Sequence, residues 1–379
     1  MMHIGCARDL HDVEGALTLA TRTFRSQEGP SEEAVDVKRL LMSPCGTLSE
    51  KDVVVLVNST GEICGACFLV DRDFYRGARK LKGTFLTSIY IAESSRGKGL
   101  SRLLMDSAIV ECERRSSAFA ILIARRAVDH FYNKFSFWGL SQYSKINLKL
   151  AGILSSGVNY SISPAIEEDL AAVGGLYEST YSGLYGSCVR SVEYWRYVLW
   201  KTGNKRISFS VFKMKGRVSG YVIFSGSEIY ELAAVQDDSC FELLKELGVK
   251  HSLNDVTLHF SSQHPIVCEF DGVDFSIAKR QCSYGGHMVR VIDQGILLNC
   301  LEKEMQDEGC DLGIKNYTEM HADTAIGARK GGLGITLSGS PFDFKNTCFL
   351  MGSESLSIGS SLKSICRPRS FNVPLLDQV

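Results

Sequence analysis

The sequence predicts an α/β (α+β) protein with two similar mixed-sheet domains followed by a smaller α+β domain. Strands and amphipathic helices alternate over the first 150 residues. A related pattern returns in the middle third, where Asp169–Tyr181 aligns with Asp12–Phe24. From residue 286 onward one amphipathic helix precedes short β-like runs separated by glycine and serine. We therefore predict domains over residues 1–155, 156–285 and 286–379. The repeat is weak, and two unrelated amphipathic helices that each follow a turn would look the same.

Local patterns give the elements of the first domain. Apolar residues recur at helical spacing after Asp12, which can cap a helix. A basic segment over residues 76–82 is expected to be an exposed loop. The remaining predicted elements are a hairpin of strands 53–57 and 63–70 around a polar turn, strand 85–91, helix 99–115, strand 118–124 and a helix that begins near residue 128.

The later domains are predicted in the same way. The middle domain has a helix over 169–181 and a hairpin over 207–224 with its turn at Lys215 and Gly216. In the last domain Asp293 caps a helix that ends at Gly309. Short β-like runs follow at 325–337, 348–351 and 355–358.

Composition excludes several classes of protein. The chain has 379 residues, 42 lysines and arginines, 43 aspartates and glutamates, and a net charge of −1, which argues against a protein that coats nucleic acid. The apolar run Ala118–Ala124 is far shorter than the ~20 residues of a membrane helix. The N-terminus lacks the pattern of a signal peptide. We expect a cytoplasmic protein without a membrane span.

The thirteen cysteines do not suggest disulfides, because their number is odd and their spacing irregular. Cys64 and Cys67 form a CxxC pair, but inside an apolar extended stretch rather than at the start of a helix. We expect buried, reduced thiols. The eight histidines show no zinc-type spacing, so we predict no metal.

The most informative stretch is a strand, a glycine-containing turn and an amphipathic helix over residues 88–105. Backbone N–H groups at such a helix N-terminus, left uncovered by Gly97 and Gly99, can bind a pyrophosphate. Arg96, Lys98 and Arg102 add positive charge where the phosphates would lie. The spacings of a Walker A loop and of a Rossmann fingerprint are both missing.

Two motifs resemble a known family. Arg96-Gly-Lys-Gly99-Leu-Ser101 is similar to the R/Q-x-x-G-x-G/A signature of the GNAT N-acetyltransferases, and Phe131–Phe137 is similar to their FYxKxGF segment. Ser101, Ser136 and Glu93 replace the family's usual Gly or Ala, Gly and Pro. The resemblance implies acetyl-CoA as cofactor, with its pantetheine arm in a splay between two strands. The implied cofactor contacts are Ile89, Tyr90, Ile91, Arg96, Gly97, Lys98, Gly99, Leu100, Ser101 and Arg102.

The layout of the whole chain resembles the enhanced-intracellular-survival (Eis-like) acetyltransferases. The residues that carry this are Arg96–Met105 and the closing His287–Asp293 followed by a helix. The likeness implies an active first domain, a second GNAT-like domain without cofactor, and a sterol-carrier-protein-like third domain. It also implies a homo-oligomer, and suggests aminoglycosides or other polyamines as acceptors.

The resemblance also implies catalytic roles. Tyr132 matches the family's general acid, which protonates the leaving CoA thiolate. The alternative is a half-buried tyrosine that packs beside Phe131. A base must deprotonate the amine, and in Eis-like enzymes the C-terminal carboxylate is thought to serve, which here is that of Val379. Asp71, Asp73 and Glu93 are other carboxylates near the expected cleft, although each is also explained as a solvated loop charge.

Two classes of function remain open. The first is an N-acetyltransferase that acts by direct attack of a primary amine, on a small molecule or a lysine. The second is a non-catalytic acyl-CoA or lipid-binding regulatory protein. Tyr132 beside an intact glycine loop favours the enzyme. Only the basic residues of 76–82 support nucleic-acid binding. Apart from Phe74 and Tyr75, no aromatic side chains for base stacking are interleaved with them.

Overall fold

A computed structural model describes the chain in segments, and every structural statement below concerns these residues. They are residues 2–23, 25–26, 29–30, 49–77, 79–124, 128–140, 142–150, 160–204, 207–235, 239–270, 273–281, 287–307, 311–316, 324–330, 333–337 and 351. The helices are α1 (Leu10–Thr23), α2 (Leu100–Arg114), α3 (Asp129–Asn133), α4 (Leu170–Tyr181), α5 (Val192–Asn204), α6 (Cys240–His251) and α7 (Gln294–Asp307).

Seven strands form the first sheet. They are β1 (His3–Cys6), β2 (Val53–Val57), β3 (Ile63–Arg76), β4 (Arg79–Ile91), β5 (Phe119–Ile123), β6 (Trp138–Gly139) and β14 (His287–Val291), and their order is β1-β2-β3-β4-β5-β14-β6. Only β4 and β5 pair in parallel. Helix α1 covers one face and α2 the other. Both faces of β2 are therefore buried, which explains its uninterrupted run of valine and leucine.

The second sheet repeats this plan. Its strands are β7 (Gln142–Lys149), β8 (Ser161–Pro164), β9 (Ser208–Met214), β10 (Arg217–Ser225), β11 (Glu228–Ala234), β12 (Asp255–Leu258) and β13 (Phe275–Gln281), in the order β8-β9-β10-β11-β12-β7-β13. Only β11 and β12 pair in parallel. Helices α4 and α5 lie on one face and α6 on the other. The predicted turn is confirmed, because Lys215 and Gly216 have φ of 50° and 78°, the left-handed pair that a two-residue hairpin turn needs.

The two sheets exchange a strand. β7 follows the first unit in sequence but pairs in the second sheet, between β12 and β13. β14 follows the second unit but pairs in the first sheet, between β5 and β6. The predicted domain 1–155 contains β7, and the predicted domain 286–379 contains β14. Each of these two strands therefore pairs in a sheet that belongs to a different predicted domain. Such long-range pairing leaves no local signal in the sequence.

The β3–β4 hairpin is longer than expected and joins three parts of the molecule. The residues predicted as an exposed basic loop continue both strands, and this prediction is wrong for Arg76, which is 2 % exposed. Its Nε lies 2.9 Å from Oε1 of Glu304 on α7. Its guanidinium also lies 5.2 Å from the ring centre of Tyr185 in the second unit. The burial of Arg76 thus follows from contacts with distant segments.

The C-terminal part contains α7 and a three-stranded antiparallel sheet of β15 (Asp311–Asn316), β16 (Thr324–Lys330) and β17 (Leu333–Leu337). The predicted cap is confirmed, because the Ile296 N–H donates to Oδ1 of Asp293 at 3.0 Å. The predicted runs at 348–351 and 355–358 lie outside the described residues, apart from Met351. The sterol-carrier-like assignment stays a prediction.

The α/β (α+β) class with two mixed sheets is confirmed. None of the described helices has the length and hydropathy that a membrane crossing requires.

Candidate active site

A cleft begins where β4 and β5 diverge. Their parallel pairing covers three rows, Gly83 with Phe119, Thr84 with Ala120 and Phe85 with Ile121. From Leu86 to Ile91, β4 has no strand partner on that side among the described residues. A strand edge without a neighbouring strand is where a ligand can pair like an added strand.

A β-bulge at Ser88 shapes the cleft edge of β4. Thr87 pairs with Phe68 and Tyr90 with Ala66, so two residues of β4 lie opposite Cys67. Ser88 has a φ of 49°, a left-handed conformation that few non-glycine residues adopt. Its hydroxyl is buried and has no hydrogen-bond partner among the described residues. Sequence reasoning did not single out Ser88, since a serine inside a strand gives no signal of a bulge.

The main chain after the bulge alternates between β3 and the cleft. The Ala92 N–H donates to Cys64 O on the β3 side. Peptide groups alternate along a strand, so the N–H of Ile91 and of Ile89 point away from β3 and toward the splay. The carbonyl of Ile91 accepts a hydrogen bond from Arg96 Nε at 3.3 Å. The side chain of Tyr90 lies on the α1 face of the sheet, where it is 4 % exposed and its hydroxyl donates to Ala16 O.

The loop after β4 ends at an uncapped helix N-terminus. Gly97 and Gly99 have φ of 75° and 74°, so both positions require glycine for conformation rather than for space. Gly99 is the N-cap of α2 and has no side chain to accept from the first N–H groups. The N–H groups of Leu100 and Ser101 are thus exposed at the positive end of the helix dipole, which makes an anion site.

The predicted basic residues surround this N-terminus. Lys98 Nζ donates to Ser94 O at 3.2 Å, and Arg102 is 81 % exposed with its Nε 3.8 Å from Oδ2 of Asp106. Leu100 is buried in the core, so only its backbone can contact a ligand. Gly97, Lys98 and Gly99 are exposed.

Tyr132 lies on the short helix α3 and is half-buried. Its ring meets Phe131 edge-to-face at 5.2 Å and lies 6.5 Å from Phe137. It packs against the apolar cluster that also includes Ile89, Ile91 and Leu100, so the tyrosine and the β4 edge lie around one core. The turn after α3 places Ser136 at a φ of 58°. This conformation explains why glycine is usual at this position in the family that the segment resembles.

The candidate bases are in different surroundings. Asp71 lies within 2.9 Å of Lys82 Nζ, 3.5 Å of Arg115 Nη1 and 2.7 Å of Thr84 Oγ1, on the α2 face of the sheet. Both oxygens of the Asp71 carboxylate are thus already engaged by neighbouring side chains. Asp73 and Glu93 are exposed. Val379 lies outside the described residues, so its proposed place in the cleft stays a prediction.

The second sheet has a similar splay, but the chain's own side chains fill it. β11 pairs with β12 only at Glu228–Thr257 and Ile229–Leu258. Beyond these rows, the Tyr181 hydroxyl lies 3.2 Å from both N and O of Leu232. His264 Nε2 lies 3.1 Å from the same carbonyl, while its Nδ1 accepts from the Ile266 N–H at 3.2 Å. This pattern fixes the neutral tautomer with the proton on Nε2.

The N-terminus of α6 is filled as well. Ser239 caps the helix and accepts from the N–H groups of Phe241 and Glu242. The carboxylate of Glu269 accepts from Phe241 N–H at 3.0 Å and from the Ser239 hydroxyl. Residues 236–238, which lead from β11 to this helix, lie outside the described residues. The anion seen at this helix is Glu269.

A family model matches most of the first unit. Residues 16–137 match the family described as Acetyltransferase (GNAT) family, a range that includes every predicted cofactor contact and Tyr132. Comparison with curated proteins by sequence gives no match.

Solved structures share the fold over most of the chain. A GCN5-related N-acetyltransferase from Anabaena variabilis is 12 % identical, with a TM-score of 0.61 over 90 % of this chain and 86 % of that one. A probable N-acyltransferase from Enterococcus faecalis is 12 % identical, with a TM-score of 0.61 over 90 % and 85 %. Eis1 from Mycobacterium abscessus is 15 % identical, with a TM-score of 0.58 over 89 % and 85 %. These structures show a shared fold, and the family match over residues 16–137 supports an acyltransferase, since members of this family use acetyl-CoA.

Proposed function

We propose that this protein transfers the acetyl group of acetyl-CoA to a primary amine by direct attack, in the cleft between β4 and β5. The proposal rests on the order of two features along the chain, a strand edge and then a helix N-terminus. The stretch Leu86–Ile91, which no described strand borders on the β5 side, is followed by the loop to the uncapped N-terminus of α2. A pantetheine arm can pair with the strand edge while the pyrophosphate binds the N–H groups of Leu100 and Ser101.

The reaction needs two proton transfers. The neutral amine attacks the thioester carbonyl carbon, a C–N bond forms and the C–S bond breaks. The Ile91 N–H donates to the carbonyl oxygen as negative charge develops there. Tyr132 donates its proton to the leaving thiolate, and the carboxylate of Val379 takes the proton from the amine. The half-buried position of Tyr132 beside the cluster that holds Ile89 and Ile91 supports its role.

One cofactor binds per chain. In the second unit Tyr181 and His264 occupy the strand edge, and Glu269 and Ser239 occupy the helix N-terminus. A cofactor would have to displace these buried hydrogen bonds and place its phosphates beside a carboxylate.

The test is a thiol-release screen with acetyl-CoA against small amines, polyamines, aminoglycosides and lysine peptides. We expect CoA release with at least one class of primary amine. Tight acetyl-CoA binding without release across the screen would contradict the proposal and favour an acyl-CoA-binding regulatory protein.

Two further proposals rest on the Eis-like resemblance. The C-terminal part, with α7 and a three-stranded antiparallel sheet, is a sterol-carrier-protein-like domain. The chain assembles as a homo-oligomer, which light scattering of the purified protein can test.

A further inference from the structure

The second unit contains a pocket at the β8 edge of its sheet, away from the filled splay between β11 and β12. The pocket has a volume of about 380 Å³, at the lower end of the ~300–1,000 Å³ that small-molecule sites have. It is enclosed by the last turns of α5 and α6, the end of β8, the start of β9 and the end of β10. No residue of the candidate active site lines it, so it is a separate site.

Apolar side chains form much of the wall of this pocket. Phe224 contributes from β10, where it is 4 % exposed and belongs to the apolar cluster beneath α6. Leu199 and Ile207 contribute from the side of α5, and both are half-buried. Such a wall favours the hydrocarbon part of a ligand, because contact with it removes apolar surface from water.

Two serines of β9 supply hydroxyl groups to the same pocket. Ser208 lies opposite Phe224 in register, and Ser210 follows two residues later, so both share the sheet face that α6 covers. Both residues line the pocket, and neither hydroxyl has a hydrogen-bond partner among the residues that the structure describes. A serine hydroxyl can donate a hydrogen bond to an anion.

Lys250 adds a positive charge at this pocket. It is exposed in the last turn of α6, and its Nζ donates to Ile162 O on β8 at 2.6 Å. This bond uses one of the three N–H groups of the ammonium, and two remain for a ligand. No carboxylate in the described part of the chain forms an ion pair with Lys250. Charge complementarity therefore favours an anionic ligand over a neutral or cationic one.

We propose that this pocket binds a small carboxylate with an apolar body. The carboxylate pairs with Lys250 and the hydroxyls of Ser208 and Ser210, and the body packs against Phe224 and Leu199. At ~30 Å³ for a group of the size of water, the volume suits a ligand of on the order of ten non-hydrogen atoms. The proposal does not depend on acetyl transfer, because the pocket lies in the unit whose own cleft is filled.

The experiment uses octanoate as the probe, and octanamide and octylamine keep its chain but change its head group. Titration calorimetry of the full chain should give one octanoate site, with both analogues roughly tenfold weaker or more, as for a lost charge-assisted hydrogen bond. Lys250→Gln should lower the affinity for octanoate to about that for octanamide. A lysine in the last turn also stabilises a helix through its dipole, so affinity rather than stability is the readout.

Gly203 allows the pocket to be filled. It is an exposed residue that lines the pocket from the last turn of α5, and a Cβ added there meets no atom within 4 Å. Gly203→Phe should place a ring in the pocket and weaken octanoate binding roughly tenfold or more. Gly175→Phe is the matched control, because Gly175 is an exposed glycine of α4, outside the pocket, whose added Cβ also meets no atom within 4 Å. It should leave the affinity unchanged.

Thermal unfolding checks that each variant folds, and Lys250→Gln at an exposed position decides the question if Gly203→Phe does not. No saturable octanoate binding at roughly 10 mM, or equal affinity for the three head groups, would overturn the proposal. Octanoate affinity that persists in folded Lys250→Gln would overturn it as well. Titration in the presence of saturating CoA separates this pocket from the first cleft. We expect unchanged affinity, whereas competition with CoA would place octanoate in the acyl-CoA cleft and refute the site.

Discussion

Replacement of Gly99 by glutamate tests whether the N-terminus of α2 binds the cofactor's pyrophosphate. Gly99 is exposed, and a Cβ added there meets no atom within 4 Å. The change therefore destabilises the folded state only because glutamate must adopt the left-handed backbone at φ 74°, which costs about 1–2 kcal/mol for a residue with a side chain. A carboxylate near a helix N-terminus recovers part of this cost.

The effect on the cofactor should be larger. A new carboxylate about 4 Å from a phosphate oxygen repels it by about 1 kcal/mol in bulk water and about 4 kcal/mol near a protein surface. We therefore expect the Kd for acetyl-CoA to rise between about tenfold and 1,000-fold. Titration calorimetry measures the affinity, and thermal unfolding measures the stability.

Gly216 provides a matched control. It has a φ of 78°, no atom within 4 Å of an added Cβ, and a position in the β9–β10 turn of the second unit. Gly216→Glu should cost the same stability and leave cofactor affinity unchanged. Unchanged affinity in folded Gly99→Glu, or an equal loss in Gly216→Glu, would refute a phosphate site at α2.

Four further results are expected. Calorimetric titration should give one CoA site per chain, and two sites would show that the second cleft is not filled. Tyr132→Phe should lower kcat roughly 100-fold or more with little change in cofactor affinity, whereas full turnover would leave the tyrosine a packing residue. Deletion of the four residues that end at Val379 should lower turnover while acetyl-CoA still binds, and unchanged turnover would exclude a terminal base. Burial lowers the pKa of His264 and of His287 to about 4, so the unfolded chain takes up their protons first as the pH falls below about 6.5. Stability should decline between pH 6.5 and 4, by on the order of 3 kcal/mol per histidine, and denaturant titrations of His264→Gln should show a shallower decline.

Sequence patterns were sufficient where structure depends on neighbours in the chain. Lys215 and Gly216 form the expected turn, Asp293 caps the expected helix, and Gly97 and Gly99 have the positive φ that the loop was expected to need. Each of these depends on backbone conformation or on a cap within three residues.

Sequence patterns failed where the partner is distant. Arg76 looked like a loop residue because nothing local shows that Tyr185 and Glu304 enclose it. The exchange of β7 and β14 between the sheets depends on which of several apolar strands pair, and their own residues do not specify this. The filled second cleft is a similar case, because Glu269 lies 30 residues from the Ser239 that it meets.

The two clefts differ in where their polar groups find partners, and this difference locates the function. In the second unit the strand edge at Leu232 and the N–H groups that begin α6 bond to side chains of the same chain. In the first unit the β4 edge after Phe85 has no strand partner on the β5 side among the described residues, the helix α2 begins without a side-chain cap, and the Ser88 hydroxyl is buried without a hydrogen-bond partner. Both units share one fold, so the fold does not require these groups to stay unpaired. A buried polar group without a partner destabilises a protein unless a ligand binds it, and we propose that an acyl-CoA binds along this edge of β4 and at the N-terminus of α2.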